Sequence, residues 1–104
     1  MDRDTLLRRI KSALQEAFGP RLRGVVLYGS EARGDASPDS DIDVMVLLDG
    51  PVDSAADDWA CIRALYSLIL EIGRPIDANP VDVADYARGE YGLYRNAQRE
   101  GRLL

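Results

Sequence analysis

The sequence has 104 residues, 46% of them hydrophobic and 30% charged, and its 18 acidic against 13 basic residues leave a net charge of −5. That length suits a single domain over residues 1–104, and the composition is that of an ordinary globular chain, neither disordered nor membrane-spanning. The acidic balance argues against broad, sequence-independent nucleic-acid binding, which needs clustered positive charge facing phosphates.

Met1-Asp2-Arg3-Asp4 opens the chain with no apolar segment behind it, and no run approaches the roughly 18 uncharged residues of a membrane span. The expected compartment is the cytoplasm. From Thr5, the residues Leu6, Leu7, Ile10, Ala13, Leu14, Ala17 and Phe18 recur at three- and four-residue spacing until Gly19-Pro20. This predicts an amphipathic helix capped by Thr5 or Asp4. Arg23 to Tyr28 contains Val25-Val26-Leu27-Tyr28, a β-prone run of the kind buried on both faces, and Gly29 ends it. Residues 30–40 are small and polar and fit a short helical turn and a loop. A second strand is expected from Asp41 to Leu48, closed by Asp49-Gly50-Pro51.

The next helix starts at an Asp53 or Ser54 cap and stops at Gly73. It carries two apolar stripes, Trp59, Ile62, Tyr66, Ile69 and Cys61, Leu65, Leu68, Ile72, an arc wider than one sheet face needs. Either the helix is deeply buried, the reading preferred here, or it docks a partner. Cys61, the only cysteine, reads as a small core hydrophobe. Pro75 to Val83 forms a third strand, confined by Pro75 and Pro80 to an edge or a bulged path, because neither donates a ladder hydrogen bond. Asp82 is placed to cap a turn. Short helices follow near 84–88 and 93–100, broken by Gly89 and ended by Gly101. The order implies a mixed α/β (α+β) domain in which helices flank a small mixed β-sheet.

The polar residues converge between the first two strands. Asp41 and Asp43 alternate with Ile42, so both carboxylates face one way, with Cα atoms roughly 6.6 Å apart, while Ile42, Val44 and Val46 face the opposite, apolar layer. Two such carboxylates repel unless a cation sits between them, and hard oxygen donors suit Mg²⁺ or Mn²⁺, which takes further ligands from water and substrate phosphates. Gly29 and Ser30 occupy the strand-to-helix turn, where free N–H groups attract an anion and a missing side chain lets phosphate approach. Arg33, one turn later, brings a guanidinium fork to the same phosphates. Each element is common alone; the combination is not.

The spacing Gly29-Ser30-x10-Asp41-x-Asp43, with Gly29-Ser30-x-Ala32-Arg33-Gly34 and Ser40-Asp41-Ile42-Asp43, resembles the polymerase-β-like nucleotidyltransferase superfamily. It is most similar to the minimal nucleotidyltransferases, antitoxin partners of HEPN-domain toxins. The resemblance implies that fold, with Gly29, Ser30, Arg33 and Ser40 binding nucleotide and Asp41 and Asp43 holding Mg²⁺ (or Mn²⁺). It implies a third carboxylate from a neighbouring strand, for which Asp77 is the candidate and Asp82 the competitor. The implied reaction is transfer of AMP from ATP to a hydroxyl, a tyrosine of a partner HEPN toxin. The alternative is neutralisation of that partner by binding alone. A hetero-oligomer or homodimer is expected. The apolar helix and the tail with Arg88, Arg95, Arg99 and Arg102 are the candidate docking surfaces, with core packing and solvation as their other roles.

Overall fold

The structure, a computed structural model, describes residues 1–104. Helix α1 (Arg3–Phe18) buries Leu6, Leu7, Ile10, Leu14 and Phe18, the stripe its spacing predicts. Neither Thr5 nor Asp4 caps it. Asp2 is the extended capping residue, and its carboxylate accepts the Thr5 N–H at 2.8 Å, satisfying a first-turn donor that has no partner inside the helix. A 3₁₀ turn over Gly19–Arg21 leads into β1 (Leu22–Tyr28), followed at once by the one-turn helix α2 (Gly29–Arg33). Strand β2 (Ile42–Leu48) starts one residue later than expected, leaving Asp41 just outside it.

Helix α3 (Ser54–Ile72) is capped by Asp53, whose carboxylate accepts the Ala56 N–H at 3.1 Å, and ends on Gly73 in the left-handed conformation. Strand β3 is Ile76–Asp82, followed by α4 (Val83–Arg88), α5 (Gly92–Glu100) and a two-residue strand β4 (Arg102–Leu103). The sheet order is β3-β2-β1-β4, with β2 and β3 parallel and the other pairs antiparallel. The sheet is therefore mixed, and β3 lies at an edge, where Pro80 leaves no central ladder bond unmade. Strand β4 was not expected, because two residues are too few to show an alternation. It pairs Leu103 with Val26 and Arg102 with Leu27. Gly101 makes that approach feasible: a Cβ there would lie 2.7 Å from Val26 Cγ1 and 3.0 Å from the Leu27 carbonyl oxygen.

Successive β2 residues divide between two cores, as the strand period requires. Ile42, Val44, Val46 and Leu48 join α1 and α3 residues on one face, while Met45 and Leu47 meet Val26, Val81 and Ala97 on the other. Cys61 is buried in the larger core, and burial pushes its thiol up to about 12, so it is an inert packing group.

The preference for full burial of α3 is corrected by its outer side. Cys61, Leu65 and Leu68 are buried, but Trp59, Ile62 and Tyr66 are more than half exposed, and Leu70 extends the same outward stripe. The sheet offers only one surface to this helix; of the second stripe, Ile69 is partly buried against the core, whereas Trp59, Ile62 and Tyr66 stay outside it. Asp57 is the one buried charge. It accepts bonds from Arg21 Nη1 (3.0 Å), Arg21 Nη2 (3.1 Å) and the Asp53 N–H (3.0 Å), and the Arg21 guanidinium holds its carboxyl below the usual carboxylate range. No helix is long and apolar enough to cross a membrane.

Candidate active site

Three strands present one row of residues at the same height. Asp43 of β2 stands in register with Tyr28, the last residue of β1, and with Asp77, the second residue of β3. Neighbours in register share a face. That face is the one opposite Ile42 and Ile76, whose side chains lie in the α1/α3 core. Asp41 and Asp77 are exposed and Asp43 is partly buried, so this end of the face is left open beyond the cover given by α4 and α5.

Gly29 turns the chain away from β1 with φ +74°, in the region that only glycine adopts freely. A Cβ built on it would sit 2.5 Å from Asp43 Oδ2. The carboxylate thus lies directly over the first residue of α2. The Gly-Ser turn and the Asp-x-Asp pair, ten residues apart in sequence, are in contact in space.

Electrostatics mark the same point. Burial raises the Asp43 carboxyl above its ordinary range, and the charges of Asp77 and then Asp41 raise it further, with only Arg33 opposing. Tyr28 is pushed up to about 12 by burial and by the Asp43 and Asp77 carboxylates, so its phenol stays neutral at physiological pH. As arranged, no three His, Cys, Asp or Glu side chains converge closely enough to chelate an ion by themselves. The donor set fits a divalent cation in another way. Mg²⁺ is commonly held by one or two carboxylates, with waters and substrate phosphates completing its shell, and an uncompensated carboxylate cluster favours it electrostatically.

The remaining predicted site residues are placed as follows. Ser30 is partly buried in the first turn of α2, next to Gly29. Arg33, at the far end of α2, is exposed and forms long ion pairs with Asp35 (3.4 Å) and Glu100 (3.9 Å). Gly34 ends α2 with φ +79°. The Ser40 hydroxyl lies inside a turn, accepting the Ser37 N–H at 3.0 Å and lying 2.9 Å from Ser37 Oγ. Asp82 accepts the Ala84 N–H at 2.8 Å as the cap of α4, and pairs with Leu48 at the far end of the sheet from Asp77.

Sequence reading did not single out Tyr28, Glu31 or Arg74. Tyr28 reads there as the last apolar residue of a strand, and Glu31 as the variable position of the signature. Arg74 is separated from that signature by a whole helix. No spacing rule connects an arginine after α3 with a loop more than thirty residues earlier, yet Arg74 Nε donates to the Ser40 carbonyl at 3.1 Å.

The chain is similar to known proteins in sequence and in fold. A Methanocaldococcus jannaschii protein named as a putative protein adenylyltransferase is 29% identical over 105 residues, covering 100% of this chain and 99% of the relative. A toxin–antitoxin crystal structure with AMP-PNP superposes with a TM-score of 0.67 at 22% identity, over 92% of this chain and 69% of the other. A complex of the tri-AMPylated Shewanella oneidensis HEPN toxin with MNT antitoxin gives 0.65 at 20% identity, over 98% and 71%. At such identities the two structures establish the shared fold. The nucleotidyltransferase domain family matches residues 7–93, a span that includes the Gly29–Asp43 contact and the Asp77 strand beside it, and the chain belongs to that family.

Proposed function

We propose that the chain transfers AMP from ATP to a hydroxyl of a partner protein, a tyrosine of a HEPN-type toxin, and so acts as its antitoxin in the cytoplasm. One observation carries the reading: the Asp43 carboxylate lies over Gly29 and in register with Asp77, joining the Gly-Ser turn to a cluster of acidic oxygens. The relationship over 99% of a relative named as a putative protein adenylyltransferase supports protein as the acceptor class. The fold shared with an antitoxin bound to an AMPylated HEPN toxin supports the partner.

In this reading Gly29 and Ser30 receive the ATP phosphates against the backbone of α2, and Arg33 approaches them from solvent after exchanging its long contacts with Asp35 and Glu100. Ser40 fixes the turn that delivers Asp41. Asp41 and Asp43, with Asp77, are the residues that would hold Mg²⁺ or Mn²⁺. When bound, the cation supplies charge neutralisation of the triphosphate and orientation of the reacting oxygens. The acceptor oxygen forms a bond to the α-phosphorus as the bond to the departing pyrophosphate breaks, in line. Asp77, exposed on the edge strand, is the carboxylate assigned to take the acceptor's proton. The chain has no histidine, and its one cysteine is buried, which favours direct transfer over a covalent enzyme intermediate.

A second reading, neutralisation by binding alone, draws on the exposed Trp59, Ile62, Tyr66 and Leu70 stripe, which serves docking with or without transfer. One assay separates the two. The protein is incubated with α-labelled ATP, Mg²⁺ and a HEPN-type partner. Label is expected on the partner with the wild type and not with an Asp41→Asn, Asp43→Asn variant. No label from the wild type, together with full neutralisation by the double variant, would leave binding as the function.

A further inference from the structure

We infer that Arg74 is a positioning residue that sets the geometry of the nucleotide site from outside it, an inference that rests on the proposed nucleotide binding. One guanidinium joins the three segments that carry the site. Its Nε donates to the Ser40 carbonyl at 3.1 Å, immediately before Asp41. Its Nη2 lies 2.9 Å from Glu31 Oε1, immediately after Ser30. Arg74 itself is three residues before Asp77, at the entry to β3.

Burial distinguishes this contact from the other ion pairs. The Arg74 and Glu31 side chains are 19% and 13% exposed, and in every other ion pair at least one partner is 40% exposed or more. An exposed pair is screened and contributes little, whereas a shielded pair resists separation because either charge left alone would be poorly solvated. Glu31 is held from a second side, since Arg3 Nη2 donates to its carbonyl at 2.9 Å and Arg3 Nε lies 3.7 Å from its Oε2. Arg3 thus holds the Glu31 backbone and adds a longer charge contact to the carboxylate that Arg74 meets.

The consequence follows from the intervening chain. Residues 34–41 form no helix or strand and contain Gly34 and Pro38, and the β1–β2 ladder holds the ends of the segment only as far as Tyr28 and Asp43. Beyond the ladder, Arg74 adds a tie between Glu31 and Ser40 across the irregular segment. The Nε contact is a directed hydrogen bond and the buried Nη2 meets Glu31 as a charge contact without hydrogen-bond alignment, and one guanidinium spans the two where a single ammonium would not. Partners behind metal-binding groups commonly change affinity by about 10- to 100-fold when removed.

The experiment compares wild type, Arg74→Ala, Arg74→Lys and Glu31→Gln, each shown folded by circular dichroism at the assay temperature. Two quantities are read: the Kd for a fluorescent ATP analogue with Mg²⁺, and amide hydrogen exchange of residues 35–43. Arg74→Ala is expected to weaken the analogue by about tenfold or more and to speed exchange in that segment, while the β1 amides stay protected. Arg74→Lys should recover part of the affinity. Unchanged affinity and unchanged exchange in folded Arg74→Ala would overturn the inference, as would faster exchange throughout the domain, the mark of a merely structural role. If the wild type binds no analogue, the proposed function fails, and the exchange of residues 35–43 alone decides whether Arg74 orders the segment.

Discussion

Asp43 sits where burial and neighbouring carboxylates hold its carboxyl above the ordinary range. It is partly buried, faces Asp77 and Asp41, and has only the exposed Arg33 as a compensating charge. Folding therefore raises its pKa above the unfolded value, so the folded state resists ionising it. The resulting cost is present above the folded-state pKa and vanishes in acid, where the group is protonated in both states. Replacing Asp43 with asparagine keeps the shape and removes the charge. The expected outcome at pH 7, with chelator present, is a rise in Tm of a few degrees, together with loss of Mg²⁺-dependent nucleotide binding. Below about pH 3 the gain should disappear. A variant less stable than the wild type at pH 7 would show that the carboxylate is held by contacts outweighing the repulsion. Stability conceded at this residue is what a site prepared for a cation requires.

At the scale of elements, α3 carries two apolar stripes that the sequence does not distinguish, because periodicity reports an apolar arc and not what covers it. Packing distinguishes them. Leu65 is 1% exposed and Tyr66 beside it 58%. Leu65→Ala is expected to cost about 2–5 kcal/mol in denaturant titrations, the cost of a core cavity. A Trp59→Ser, Tyr66→Ser double substitution should change stability by less than about 1 kcal/mol and instead weaken partner capture in a pull-down with a HEPN-type protein. A large stability loss from the second variant would mean that the outer stripe is packed within the domain. The same distinction governs what else was legible. Helices α1 and α3 and strands β1 and β2 show in the sequence because their apolar periods run for several turns or alternations. The candidate site residues Gly29, Asp41 and Asp43 show because their chemistry is compressed into fifteen positions. Strand β4, the Asp2 cap and the Arg74 contact did not show, for each depends on a neighbour distant in sequence or on one backbone angle.

For the whole molecule, the acidic cluster, the small core and the proposed ligand are linked by mass action. A domain of 104 residues has limited apolar area to bury, so a ligand bound only by the folded form makes a large relative difference to its stability. ATP with Mg²⁺ at about 100 times its Kd adds about 2.7 kcal/mol. For a domain near this size that corresponds to a rise in Tm on the order of 10 °C. The rise should require both components, because ATP alone brings further negative charge to Asp41, Asp43 and Asp77, whereas Mg²⁺ alone finds too few converging oxygens for tight binding. A melting experiment with ATP, Mg²⁺, both together, and both with excess chelator tests this synergy. Equal stabilisation by ATP with and without chelator would remove the cation from the site. No stabilisation by the pair at saturating concentration would remove the nucleotide as well. The Asp41→Asn, Asp43→Asn protein is the internal control: with its repulsion relieved it should begin at a higher Tm than the wild type and gain nothing from the pair, so that the two melting curves cross over as Mg²⁺-ATP is added.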